Sequence, residues 1–143
     1  MHVAKLLEAK GSEVVTIRRS ASVSDALGEF TRRGIGSLVV SDDGRTMAGI
    51  ITERDVIRAV DVAGPMVLGQ AVSTLMSITP VTCRPHDVVE EVMASMTDRR
   101  VRHVPVVTDG ELAGIISIGD VVKARIDELE RDHRELVDYI NAR

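Results

Sequence analysis

Two aspartates, Asp55 and Asp120, each follow a hydroxyl residue by three positions, in Gly49-Ile50-Ile51-Thr52-Glu53-Arg54-Asp55 and in Gly114-Ile115-Ile116-Ser117-Ile118-Gly119-Asp120. An ionised carboxylate accepts several hydrogen bonds at once, so each aspartate suits the neighbouring hydroxyls of a ribose. Thr52 and Ser117 stand beside free backbone N–H groups at a helix start, where a phosphate is stabilised. Val15, Ile17, Ile51, Val81, Ile115 and Ile116 are apolar residues able to line a slot for a base. The same residues also read as ordinary helix caps with an acid in the first turn. The nucleotide reading gains its weight from the repetition.

The elements that hold these residues repeat as well. In each copy the β-branched pair ends a buried strand, and the hydroxyl residue caps the helix that follows. Upstream, Val3, Leu6 and Leu7 have helical spacing up to Lys10-Gly11-Ser12, and Val14 to Ile17 is extended. Ser22 caps a helix with Val23, Ala26, Leu27 and Phe30 inward; Arg32-Arg33-Gly34 closes it. Ile35–Val40 and Met47–Ile51 read as strands, and the next helix carries Val56, Ile57 and Val60 inward until Gly64-Pro65. Met66–Gln70 is expected to be a connecting segment.

The order then recurs about 65 residues on. Val72, Leu75 and Met76 form a short helical piece, and Pro80-Val81-Thr82-Cys83 matches Val14 to Ile17. Asp87–Met96 is a helix with Val89, Val92, Met93 and Met96 inward, Arg99 to Val107 covers its end and a strand, and Leu112–Ile116 is the last strand. The expectation is an α/β chain of the α+β kind: two tandem β-α-β-β-α repeats, at 1–65 and 66–122, and a helical extension at 123–143. One such unit cannot bury its own sheet, so the copies must pack on each other.

The composition removes several functions. The 143 residues include one Phe, one Tyr and no Trp, which leaves no stacking platform for single-stranded nucleic acid, and a net charge of −4 argues against a broad basic surface. A lone cysteine, Cys83, excludes an intrachain disulfide and a cysteine zinc cluster. No stretch has the ~20 apolar residues of a membrane span, and no secretory signal is visible at the N-terminus, so a soluble cytoplasmic protein is expected. No acid/base pair, metal spacing or nucleophile–base arrangement stands out. The expectation is that it is not an enzyme and has neither metal nor catalytic cofactor.

The duplicated Val15-Thr16 and Val81-Thr82, the run Arg102-His103-Val104-Pro105-Val106-Val107 and the repeated Gly-Ile-Ile-(Thr/Ser)-x-x-Asp together resemble a pair of CBS (cystathionine-β-synthase) domains, also called a Bateman module. The likeness runs over essentially the whole chain and suggests a stand-alone pair. It implies pseudo-twofold packing, usual homodimerisation, and a regulatory ligand held between the repeats: AMP, ADP, ATP, NAD(H) or S-adenosylmethionine. It also implies an unidentified regulated protein as partner.

Carried over by residue, the resemblance joins Val15, Thr16 and Ile17 to Ile116, Ser117 and Asp120 in one site. It joins Val81, Thr82 and Cys83 to Ile51, Thr52 and Asp55 in the other. Arg102 and His103 lie where family members often contact phosphate, which favours the Asp120 site. The first repeat departs from that pattern, with Gly36 and Ser37 for the Arg-His pair and Leu38 for the proline, although Arg54 offers a charge. Arg99, Arg100 and Arg102 read equally well as a cationic helix end, and His103 as a partly buried strand residue.

Beyond the repeats, Val122, Ile126, Leu129, His133, Leu136 and Ile140 alternate spacings of four and three, a coiled-coil-like seam. Glu130 with Arg134 and Arg131 with Glu135 are placed to pair. The seam is expected to meet a second copy of the chain; an arm packed on its own domain is the alternative.

Overall fold

A computed structural model describes residues 1–143. The chain runs through helix α1 (Val3–Lys10), strand β1 (Thr16–Ile17), helix α2 (Val23–Arg33), strands β2 (Ser37–Val40) and β3 (Gly49–Thr52), and helix α3 (Glu53–Ala63). Two 3₁₀ turns, Pro65–Gly69 and Val72–Thr74, lead to helix α4 (Val89–Arg99), strands β4 (His103–Thr108) and β5 (Glu111–Ser117), and helix α5 (Ile118–Asn141). β1 lies parallel to β2, and β2 antiparallel to β3, in a three-stranded sheet. β4 and β5 pair antiparallel, with one irregularity between Val106 and Val107. The second copy of β1 is reduced to a parallel bridge from Cys83 to Val106.

Each repeat has its own core, and each core is completed by the segment that precedes the other repeat. Leu38, Val40, Ile51, Val23, Ala26, Phe30 and Val56 pack with Val67 and Val72 from the linking turns. Val104, Val106, Ile116, Val89, Val92, Met96 and Val121 pack with Val3, Leu6 and Leu7 of α1. Thus α1, which precedes the first repeat in the chain, belongs to the second repeat's core. Backbone hydrogen bonds fix both exchanges alike. Val3 N–H donates to Asp87 O and Val89 N–H to Met1 O; Val72 N–H donates to Ala21 O and Val23 N–H to Gln70 O. Asp87 O, together with Pro85 O, which accepts from Ala4 N–H at 2.8 Å, satisfies α1 donors that no side chain caps.

The exchange explains the motif glycines. A Cβ on Gly114 would stand 2.7 Å from a Leu7 methyl, and one on Gly49 only 2.4 Å from Ser77 O. Backbone and side chain of the incoming segment occupy the space a larger residue would need.

Several expectations change. Ile57 is 68% exposed, whereas Val56 beside it is buried, so the inward face of α3 is narrower than its spacing suggested. Met66–Gln70 is largely a 3₁₀ turn rather than plain connection. α4 begins at Val89, because Asp87 caps the preceding turn instead, accepting from Arg84 N–H at 2.8 Å. Val39, not Leu38, stands in the place of Pro105: Val39 pairs with Ile50 as Pro105 pairs with Ile115. On α5 neither Glu130–Arg134 nor Arg131–Glu135 forms an ion pair; Arg125 instead meets Glu128 at 2.8 Å.

Candidate functional site

Ser117 and Asp120 stand where β5 turns into α5. Ser117 Oγ accepts from Asp120 N–H at 3.1 Å, and Asp120 Oδ2 accepts from Ser117 N–H at 2.8 Å, a reciprocal capping box. Thr52 and Asp55 form the same box at the start of α3, at 3.2 and 2.9 Å. Both carboxylates are therefore held rigidly by one oxygen. The other, Oδ1, has no hydrogen-bond partner in either residue.

The two corners differ in what surrounds them. Lys10, at the C-terminal end of α1, donates to Asp120 Oδ2 and to Ile115 O. Both side chains of this ion pair are about three-quarters buried. Burial by itself raises the Asp120 pKa, but the hydrogen bonds from Lys10 and from Ser117 N–H outweigh it and hold the carboxyl below its usual range. At the first corner the carbonyl equivalent to Ile115 O, that of Ile50, accepts instead from Ser77 N–H at 2.9 Å. No cation pairs with Asp55 there, and Arg54 is exposed with no ion pair of its own.

His103 opposes Ser117 in the β4–β5 register. Burial, helped by the charges of Lys10 and Arg102, holds its pKa below 6.5, so the ring is neutral near pH 7. A Cβ on Gly36 of the first repeat would stand 3.8 Å from the ring, which places His103 where the two repeats meet. Arg102 is exposed and anchors the corner through its carbonyl, which accepts from Ile118 N–H at 2.8 Å. The structure thus gathers His103, Ser117, Asp120 and Lys10 in one place. Lys10 was missed by sequence reasoning, which saw Lys10-Gly11 only as a helix end; nothing in its spacing points across the chain to Asp120.

The remaining candidates are placed as follows. Thr16 and Ile17 pair with Val39 and Val40 of their own repeat, and no hydrogen bond links Val15, Thr16 or Ile17 to Ser117 or Asp120. Ile51 and Ile116 have no exposed surface and Ile17 is buried in the first core, which leaves Val15, Val81 and Ile115, all half-buried, as accessible slot residues. Thr82 and Cys83 line a cavity of about 390 Å³ with Arg84, His86 and the Thr108-Asp109-Gly110 turn. Ile51, Thr52 and Asp55 do not line it. Cys83 itself is 5% exposed, and burial, then the charge of Asp87, pushes its thiol up to about 12. No group of three or more His, Cys, Asp or Glu side chains is arranged to hold a metal, and no helix is long and apolar enough to cross a membrane.

A profile of the CBS domain matches residues 10–62 and again 72–127. The crystal structure of the CBS-domain containing protein ATU1752 from Agrobacterium tumefaciens is similar at a TM-score of 0.83 and 45% identity, over 87% of this chain and 99% of that one. The CBS domain protein PAE2072 from Pyrobaculum aerophilum, solved in complex with AMP, is similar at a TM-score of 0.71 and 26% identity, over 84% and 89%. The mitochondrial CBS domain-containing protein CBSX3 of Arabidopsis thaliana is 39% identical over 125 residues, which are 85% of this chain and 59% of that protein. Arabinose 5-phosphate isomerase KdsD of Escherichia coli is 29% identical over 116 residues, and the chain spans only 35% of its length.

Proposed function

The chain belongs to the CBS domain family, and we propose that it is a regulatory sensor of adenine nucleotides or other adenosyl compounds, acting in the cytoplasm on a partner protein. The observation that carries this reading is the Asp120 corner. One carboxylate oxygen is fixed by the capping box while the other is left as a free acceptor for ribose, with Ser117 and Lys10 at hand for phosphate. The AMP complex of the similar Pyrobaculum aerophilum protein supports the ligand class. The reading is non-catalytic: both aspartates are tied into helix caps, which suits fixed acceptors and not proton carriers.

A thermal-shift screen against AMP, ADP, ATP, NAD, NADH and S-adenosylmethionine tests it. A ligand at 100 times its dissociation constant adds about 2.7 kcal/mol to the folded state. The shift should be lost in Asp120→Ala and largely kept in Asp55→Ala, each variant scored against its own unliganded melting point. No shift with any of the six, in protein shown to be free of carried-over nucleotide, overturns the sensor reading.

A second reading is favoured by α5. Val122, Ile126, Leu129, Leu136 and Ile140 are between 46% and 68% exposed along it, a stripe suited to a second copy of the chain. On that reading the module is chiefly a dimerisation element, and a flat ligand screen with a stable dimer would support it.

A further inference from the structure

We infer that Lys10 makes the Asp120 corner select anionic adenosyl ligands, by exchanging its partner from Asp120 to the ligand's phosphate when ribose hydroxyls take Asp120. This rests on the ribose-site reading above. Lys10 pairs with Asp120 Oδ2, so ribose hydroxyls that engage the free Oδ1 must share the carboxylate's charge with that ammonium. An ammonium on a four-carbon stem is a mobile point charge with three donors, and two of them are in use here. Its bond to Ile115 O keeps it beside the corner while the third donor is available.

Once ribose hydroxyls take up the carboxylate's charge, the ammonium of this largely buried side chain needs another anion, because a buried charge is costly without a partner. A phosphate supplies one. A neutral nucleoside leaves the ammonium poorly compensated, and a sulfonium ligand adds a like charge. His103 does not replace it, since its ring is neutral near pH 7. The first corner has no counterpart: Ser77 N–H occupies the equivalent carbonyl, and Asp55 carries no cation. Charge selection is therefore confined to the second corner.

Calorimetric titration of AMP, adenosine and S-adenosylmethionine into wild type, Lys10→Met and Lys10→Arg tests the inference. The methionine keeps the apolar stem, and the arginine keeps the charge. Wild type should bind AMP at least about tenfold more tightly than adenosine, a difference of about 1.4 kcal/mol. Lys10→Met should lose that preference, with AMP weakened about tenfold or more and adenosine changed less than about threefold; Lys10→Arg should restore most of it. AMP binding to wild type should also fall more steeply with salt than binding to Lys10→Met. Equal weakening of AMP and adenosine would make Lys10 a structural residue, and equal tightening would make it only an occluding latch; either overturns the inference while sparing the sensor reading. Wild type that binds none of the three ligands overturns the ribose site and this inference with it.

Discussion

Substituting the two motif glycines by alanine should give unequal results, although they occupy equivalent places. At Gly49 the new methyl would stand 2.4 Å from Ser77 O, a backbone atom that accepts from Ile50 N–H at 3.0 Å while Ser77 N–H donates to Ile50 O at 2.9 Å. Relief requires moving that backbone, which weakens two hydrogen bonds of about 1 kcal/mol each; tolerating the overlap costs about 1–3 kcal/mol. The lower-entropy unfolded chain of the alanine variant returns about 0.4–1 kcal/mol. The net loss at Gly49 is about 1–2 kcal/mol, which for a chain of this length is roughly 3–6 °C in melting temperature.

At Gly114 the obstacle is the pair of Leu7 methyls at 2.7 and 3.0 Å, the far end of a side chain that can change rotamer. Gly114→Ala should therefore lie within about 1 kcal/mol of wild type. Urea titrations with unchanged m-values would compare the two variants directly. Gly49→Ala as stable as wild type, or Gly114→Ala equally damaged, would refute the idea that the preceding segments set these glycines. A cycle with Leu7→Ala adds a check: if Leu7 is the obstacle, the two changes should be non-additive.

Three further outcomes follow from the same structure. Cys83, 5% exposed with its thiol pushed up to about 12, should react with a disulfide reagent at pH 8 at least about a hundredfold more slowly in the folded protein than in urea; comparable rates would show that the site opens. His103 has a folded pKa below its unfolded 6.5, so the unfolded state binds the proton more readily and stability is lost as pH falls from about 6.5 through the folded value; denaturation curves of His103→Gln should lack that loss, and parallel pH profiles would contradict it. Removing residues 129–143 deletes Leu129, Leu136 and Ile140 but leaves Val121 in its core, so sedimentation should give a dimer for the full chain and a folded monomer for the truncated one; the same oligomeric state for both would refute a dimer contact through this stripe.

The repeated pattern made the two repeats, their strands and both capping corners legible, because hydroxyl and acid three apart at a helix start leave a local trace. The inward residues Val23, Ala26, Phe30, Val92 and Met96 were legible for the same reason, as helical spacing is local. The packing of α1 on the second repeat was not legible from its spacing: Leu6 and Leu7 show a buried face without showing which core receives it. Ile57 misled because it lies at the margin of an apolar stripe, where burial depends on a neighbour that the sequence does not name. Lys10 was the costliest omission. It is 110 positions from Asp120, and a lysine before a glycine is a common way to end a helix.

That omitted residue also supplies a route from ligand to shape. Lys10 closes α1, and Leu7, one turn earlier, is the side chain that fills the space over Gly114 in the second core. A ligand that takes Asp120 and draws the ammonium away therefore acts on the helix that completes that core. α1 in turn leads through a short extended stretch into β1 of the first sheet. A bias of about 1–3 kcal/mol on how α1 sits would be enough to change a partner's affinity several-fold or more. The first corner has no such connection, since its carbonyl is held by the backbone bridge from Ser77 to Ile50. Hydrogen exchange should therefore find AMP protecting amides in α1 in wild type but not in Lys10→Met, compared at equal occupancy. Protection that survives the substitution would mean that the signal leaves the site by another route.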